Sequence, residues 1–278
     1  MPVITFVVIA GGLFGLLIGS FLNVVIYRIP AGLSISTPPS ACTRCGGRIR
    51  PWDNVPVLSW LVLGGKCRDC SAPISPRYPL VELATGVSFA AVTWWMLSTA
   101  PAATANGTAI VAWAITLAAF LYLCAISIAL ALIDLDTHTL PNRIIYPAYL
   151  VSAVLLTVAA LLAGEPARLF GALVGGAGLF ALYLALALIR PGGMGLGDVK
   201  LAGVLGLYLG WLGWGELAIG AFAAFLLGGL FGVVLLAVRR AGRKSSIPFG
   251  PWMLAGAWTG VLFGNIIALG YLRLYGFA

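Results

Sequence analysis

The chain has 278 residues, of which 61% are hydrophobic and only 9% charged, against roughly 25% charged in a soluble domain. That excludes an ordinary cytosolic globule and makes the bilayer the solvent for most of the chain. The formal net charge of +8 raises nucleic acid as a partner, but the basic residues lie in short segments between apolar runs, as topology signals do, and no nucleic-acid binding is expected.

Spanning a hydrocarbon core takes about 20 apolar residues. The apolar runs and their breaks predict an all-α polytopic membrane protein of eight spans, at 3–25, 80–98, 110–132, 144–163, 168–189, 200–215, 217–238 and 250–272. The least distinct break is the one from Trp211 to Glu216. Arg28, Arg44, Arg48, Arg50, Lys66, Arg68 and Arg77 fall in the first loop, Arg143 in the third, Arg190 and Lys200 in the fifth, and Arg239, Arg240, Arg243 and Lys244 in the seventh. Only Arg168 and Arg273 fall on the other side. Positive loops stay in the cytoplasm, so the odd-numbered loops are expected inside and both termini outside. The first span has no basic residue before it and no small-residue cleavage site, and is expected to be a retained anchor rather than a signal peptide.

The expected organisation is a first transmembrane helix over 1–26, a small cytoplasmic insertion over 27–79 rich in Pro, Gly, Arg and Cys, and a seven-helix membrane domain over 80–278. The insertion carries Cys42-Thr-Arg-Cys45 and, after 21 intervening residues, Cys67-Arg-Asp-Cys70. Two C-x-x-C knuckles at this spacing point to a zinc-ribbon-like site, because four thiolates satisfy the tetrahedral preference of zinc. The competing reading is two disulfides, which the predicted reducing compartment disfavours. With four sulfur ligands and no open position, the metal is expected to be structural, in a segment otherwise too small to bury a core. Gly46 and Gly47 suit the tight turn after the first knuckle, and Cys124, within an apolar span, is expected to pack as a small hydrophobe. Scattered glycines in the later spans, among them Gly171, Gly175, Gly176, Gly178, Gly228, Gly229 and Gly232, are expected to let helix backbones approach closely.

Only eight acidic residues exist in the chain, so the position of each is informative. Asp134 and Asp136 stand where the third span meets the cytoplasm, seven and five residues before Pro141, and Asp198 stands at the start of the sixth span in Gly193-Met-Gly-Leu-Gly-Asp198. The topology puts both places on one side at one depth. Carboxylates near hydrocarbon are functional candidates; the structural alternative is that they cap helices or meet Arg143 and Lys200. Gly-x-Gly before Asp198 supplies unwound or closely approached backbone, tolerable at membrane depth only against protein or a water-filled cavity. Two aspartates meeting there can share a proton, one acting as base on a water and the other as acid on a peptide carbonyl. Positions 134 and 136 lie about 200° apart on a helix, so both cannot face one cleft unless the helix unwinds before the proline.

With these residues in view, the chain resembles the bacterial type IV prepilin peptidases. The resemblance runs from Gly19-Ser-Phe-Leu-Asn-Val-Val-Ile-Tyr-Arg-Ile-Pro30 through both knuckles, Pro56-Val-Leu-Ser-Trp60 and Arg77-Tyr-Pro-Leu-Val-Glu82 to the aspartate motifs. Gly195-x-Gly197-Asp198 is also similar to the signature of the wider GxGD class of intramembrane aspartyl proteases that includes presenilin. The resemblance implies cleavage of a short basic leader after a glycine, in prepilin and pseudopilin substrates held among membrane lipids of the bacterial inner membrane, followed by N-methylation of the new terminus from S-adenosylmethionine. It implies Asp134 and Asp198 as catalytic residues, Asp136 in support, and Gly65 and Lys66 as a methyltransferase region that binds cofactor. For the last two the alternative is a basic turn at the membrane surface. Asn23 either orients substrate or hydrogen-bonds another helix, Glu82 either positions a substrate amine or pairs with Arg28 or Arg77, and His138 is given no role.

Two other classes of function stand beside this one: a proton- or ion-coupled transporter and a zinc-ribbon membrane scaffold. A transporter is expected to keep its acids near the midplane, whereas these cluster at one border. A scaffold has no need of Gly-x-Gly-Asp.

Overall fold

The computed structural model describes residues 2–99, 107–190, 192–238 and 248–276; the basic run Arg239, Arg240, Arg243 and Lys244 lies outside them. The chain forms two compact units, one of Met1–Pro101 with Phe120–Ala129, the other of Ala102–Ala119 with Leu130–Ala278. No strand forms among the described residues beyond two isolated bridges.

In the first unit, α1 (Pro2–Arg28) packs along α3 (Arg77–Thr99). Between them lies the insertion, with a 3-10 turn at Pro51–Asn54 and a short α2 (Leu58–Val62). Glycines at i, i+4 on α1 make the close approach possible: a Cβ on Gly15 would lie 2.7 Å from Phe89 Cβ, and one on Gly19 would lie 2.7 Å from Glu82 Cα. On its other faces α1 leaves Phe6, Phe14 and Leu17 exposed, as expected of a helix whose surroundings are lipid.

The second unit is built from the ends of α4 (Gly107–Thr137) with α5 (Asn142–Ala163), α6 (Ala167–Ile189), α7 (Leu196–Leu212), α8 (Trp214–Ala237) and α9 (Gly250–Leu274). Among the described residues, seven of the eight long helices are long and apolar enough to cross a bilayer, which makes this a multi-pass membrane protein. The eighth, α7, has 17 residues and so a length of about 26 Å, short of the roughly 30 Å hydrocarbon core. It begins at Leu196 rather than at 200, which puts Asp198 in its first turn, and it ends at Gly213, the indistinct break. It is the enclosed helix of the unit, in contact with α5, α6, α8 and α9. A Cβ on Gly175 of α6 would lie 2.5 Å from the Gly206 carbonyl oxygen of α7, so two backbones touch there. Of the other glycines, Gly171 and Gly176 also sit against α7, whereas Gly178 and Gly229 have open space beside them. The Tyr208 hydroxyl of α7 donates to Ala119 O at 3.0 Å and accepts from Ser152 at 2.9 Å, tying three helices where hydrocarbon offers no water. Buried Thr85, Thr93, Thr116 and Ser127 donate to carbonyls four residues back, which satisfies each hydroxyl inside its own helix.

Candidate active site

The helix α4 continues to Thr137, so Asp134 and Asp136 are both helical and point apart, and only Asp134 is buried. Thr137 closes the last turn by donating to Ile133 O, and His138 follows with φ +52°. Pro141 then precedes α5. The Asp134 carboxylate stands at the negative end of its own helix, but its Oδ2 accepts the Gly250 N–H at 3.0 Å in a buried contact. That N–H belongs to the first residue of α9, where the amides have no partner within the helix and the dipole is positive. Gly250 has to be glycine for this approach, since a Cβ there would lie 2.7 Å from Asp134 Oδ2. The residue before it, Phe249, is held in an aromatic cluster with Tyr183 and Phe225, at centroid distances of 6.3 and 5.7 Å.

Asp198 is half-buried and caps the start of α7, its Oδ2 accepting the Gly195 N–H at 3.1 Å. One side chain touches both halves of the site. Leu140 lies against Gly197, where a Cβ would be 2.9 Å from Leu140 Cβ, and against Gly250, where it would be 3.3 Å from Leu140 Cδ2. The two carboxylates are within electrostatic range of each other. Both expectations for Gly-x-Gly are therefore met: Gly195 is extended at φ −77°, ψ 147°, and Gly197 is the point of close approach. Both aspartates do cap helices, as the structural alternative holds. Each uses one oxygen for it, and a carboxylate offers about four lone-pair sites. Lys200 is directed elsewhere, to Asn142 Oδ1 at 3.1 Å and over the Tyr146 ring at 5.2 Å.

In the insertion the four sulfur atoms of Cys42, Cys45, Cys67 and Cys70 all lie within 4.8 Å of one another, with Cys42 and Cys70 3.8 Å apart. Zinc–sulfur bonds of about 2.3 Å in a tetrahedron give sulfur–sulfur edges of about 3.8 Å, so the cluster fits zinc. The two knuckles repeat one backbone pattern. Cys42 N–H bonds Gly47 O and Gly46 N–H bonds Cys42 O; Cys67 N–H bonds Ala72 O and Ser71 N–H bonds Cys67 O. The bridges Ala41–Arg48 and Lys66–Pro73 flank them equivalently, and the fourth residue after the first cysteine is left-handed in both, Gly46 at φ +71° and Ser71 at φ +57°. Backbone N–H groups of Cys45 and Arg44 hold the Cys42 thiol down at about 6, which favours the thiolate that binds metal. Arg68 forks onto Asp53 at 2.8 and 3.0 Å, and Arg50 reaches Asp69 at 3.3 Å, linking the 3-10 turn to the second knuckle.

Gly65 and Lys66 form the turn before Cys67. Gly65 is buried at φ +67°, and a Cβ on it would lie 2.9 Å from the Trp60 ring, whereas Lys66 is exposed. Asn23 donates to Tyr78 O at 3.1 Å, joining α1 to α3. Glu82 accepts the Val57 N–H at 2.7 Å, while Arg28 donates to Ser34 O and Pro38 O. Cys124 is buried within α4.

A model of the type IV leader peptidase family matches residues 121–235, which include all three aspartates, and one of the bacterial peptidase A24 N-terminal domain matches residues 13–96, which include the four cysteines. The chain is 35% identical to the prepilin leader peptidase/N-methyltransferase of Pseudomonas aeruginosa, over 95% of this chain and 93% of that one. The protein of the same name from Aeromonas hydrophila is 36% identical over 94% and 92%, and that from Burkholderia pseudomallei is 34% identical over 90% and 84%. The chain belongs to the type IV leader peptidase family. No solved structure matches it. For a member of this family, the sequence motifs left two parts of the aspartate site unassigned, Gly250 and Leu140. A signal for the first was present in Pro248-Phe-Gly-Pro251, since proline in a helix's first positions marks an N-terminus with spare amides.

Proposed function

We propose that this protein cleaves the basic leader of prepilins and pseudopilins after a glycine, with Asp134 and Asp198 as the acid–base pair, and then N-methylates the new amino terminus. The observation that carries the cleavage is that each carboxylate is held by a helix-start N–H, Asp134 by Gly250 and Asp198 by Gly195, while Leu140 packs against both Gly250 and Gly197. One carboxylate takes a proton from water as the oxygen attacks the scissile carbonyl, and the other gives a proton to that carbonyl and afterwards to the leaving amine. Asp136, on the exposed side of α4, supports the site from outside the pair. The charge asymmetry of the loops supports a cytoplasmic location for the site and the insertion.

Cys42, Cys45, Cys67 and Cys70 would hold one structural zinc ion, and the residues present fit it. S-adenosylmethionine would supply an electrophilic methyl group for the new amine, its sulfonium becoming a neutral thioether and the amine losing one proton. The insertion, 27–79, with Gly65 and Lys66 is the part of the chain assigned here to methyl transfer, and 80–278 to cleavage.

The test compares Asp134→Asn, Asp198→Asn and Asp136→Asn at matched membrane levels, by mass measurement of a prepilin substrate. Each of the first two is expected to lose about 100-fold or more in cleavage, while methylation of a substrate already cut survives. Asp136→Asn is expected to cleave within a few-fold of the parent. Near-normal cleavage by either of the first two would overturn the pair.

A further inference from the structure

The insertion carries an apolar surface that the cysteine cluster does not account for. Leu58, Leu61 and Val62 of α2 are 61%, 60% and 81% exposed, and Trp52 and Val55 just before them are exposed as well. The polar atoms of the same short helix turn inward: Trp60 Nε1 donates to Ile74 O at 3.0 Å and Ser59 Oγ to Trp52 O at 2.9 Å. A helix in water has the opposite arrangement, with its apolar stripe against the core, and contiguous exposed apolar residues mark an interaction surface.

The level of α2 along the spanning helices decides what this surface meets. Val57, the residue before α2, donates its N–H to Glu82 Oε2 at 2.7 Å. Glu82 in turn stands beside Gly19 of α1, where a Cβ would lie 2.7 Å from Glu82 Cα. From Gly19 to Pro2 along α1, and from Glu82 to Thr99 along α3, each helix runs about 26 Å. The hydrocarbon core is roughly 30 Å thick. A bilayer crossed by both helices therefore reaches past the level of Glu82 towards the insertion, and any tilt shortens the height that the helices cover. Leu80 and Leu83, on either side of Glu82 in α3, are exposed as the lipid-facing residues of a span are, so lipid-facing surface is already present at the level where α2 begins.

The segment also meets the condition for leaving water. Ser59 Oγ takes the Val55 N–H, and carbonyls between Val55 and Leu61 take the N–H groups of Ser59, Leu61, Leu63, Gly64 and Gly65, as backbone near hydrocarbon requires. The turn that delivers α2 is strained: Val57, a β-branched residue, has φ +61° and ψ −51°, and Leu58 N–H bonds Pro56 O at 2.6 Å, a γ-turn of the rare positive-φ kind. The Glu82 contact holds that reversal and sets the height of the helix.

We propose that α2, with Trp52 and Val55, is a membrane anchor whose apolar face lies at the headgroup–acyl boundary of the leaflet nearest the insertion. Trp52 is of the type that this boundary favours. The anchor fixes the insertion to the bilayer at a third place besides α1 and α3, and it is independent of the cleavage and methyl-transfer chemistry.

The test uses the full zinc-loaded protein in nanodiscs of phosphatidylethanolamine and phosphatidylglycerol. A diazirine amino acid is placed at Val62 and, in separate proteins, at Leu58 and at Thr43, which is exposed in the first knuckle. After irradiation, mass analysis is expected to find lipid adducts from Val62 and Leu58 about tenfold or more above those from Thr43, since a side chain at the headgroup–acyl boundary meets lipid carbon rather than water. These adducts are expected to persist when a prepilin substrate is added. Water adducts alone at all three positions would overturn the anchor. So would crosslinks from Val62 to a second copy of the chain, which make the face a dimer contact, or to added prepilin in place of lipid, which make it a substrate surface. Two probes on one exposed face keep the answer independent of either substitution, and zinc content with leader cleavage reports that each protein is folded.

Discussion

Asp134 does not set its own position: the Gly250 N–H holds its Oδ2, and the absence of a side chain on Gly250 leaves room for it. Gly250→Ala is expected to displace the carboxylate by a fraction of an ångström and reduce kcat for leader cleavage about 10- to 100-fold, with zinc content and methylation of a pre-cut substrate unchanged. Steady-state kinetics with both substrates check it. The insertion offers a change of the opposite sign. Ser71 occupies in the second knuckle the left-handed position that Gly46 occupies in the first, and that conformation costs a residue with a Cβ roughly 1–2 kcal/mol. Ser71→Gly is expected to recover up to about 1 kcal/mol after the entropy cost of glycine, read as a higher chelator concentration at half loss of zinc.

Among the helices, α7 is the element on which the second unit is assembled. Its hydrophobic pattern is nearly uniform around the axis, as buried helices are, and its small residues let α6 come within backbone contact. With lipid as apolar as leucine, that packing and the hydrogen bonds of Tyr208 carry the association. A Cβ at Gly206 would run into the carbonyl of Gly175, a backbone group that has nowhere to move. Gly206→Ala is therefore expected to destabilise the protein by about 1–3 kcal/mol, lowering the midpoint of thermal unfolding in detergent. The same substitution at Gly178 or Gly229, which face open space, is expected to leave it unchanged or slightly raised.

For the molecule as a whole, the proposed assignment puts methyl transfer and cleavage in different compact units. Removing zinc with a chelator is expected to abolish methyl transfer while leader cleavage falls much less, because no ligand of the cluster belongs to the unit holding the aspartates; parallel assays of both products decide it. The insertion also has a defined acid response. Arg68, by hydrogen bonds and charge, holds the Asp53 carboxyl below its usual 3.8. A depressed carboxyl contributes stability that is complete above the unfolded value and is lost as pH falls through the folded one. The deficit of Asp53→Asn relative to the parent is thus expected to stay constant from pH 7 to about 5 and to close only below the ordinary aspartate range. Chelator titrations of both proteins across that interval measure it.

The linear sequence was enough for the membrane class, the four-cysteine cluster and the aspartate motifs, because each rests on composition or on short spacings: long apolar runs, C-x-x-C twice, Gly-x-Gly-Asp, and carboxylates too scarce to be incidental. It also posed the choice between Asp134 and Asp136 as a matter of helix phase. Which of the two turns inward was decided only by α4 staying helical past Asp136 and by α9, more than a hundred residues on, presenting its first N–H to Asp134. The partner of Glu82 was invisible in the same way. Its carboxylate was expected either to position a substrate amine or to pair with Arg28 or Arg77, and in the fold it accepts the Val57 N–H, while Arg28 is taken by loop carbonyls and Gly19 brings α1 onto the Glu82 backbone. Local patterns fix what one segment prefers; which distant amide completes a buried carboxylate depends on how helices pack, and that is a property of the tertiary structure alone.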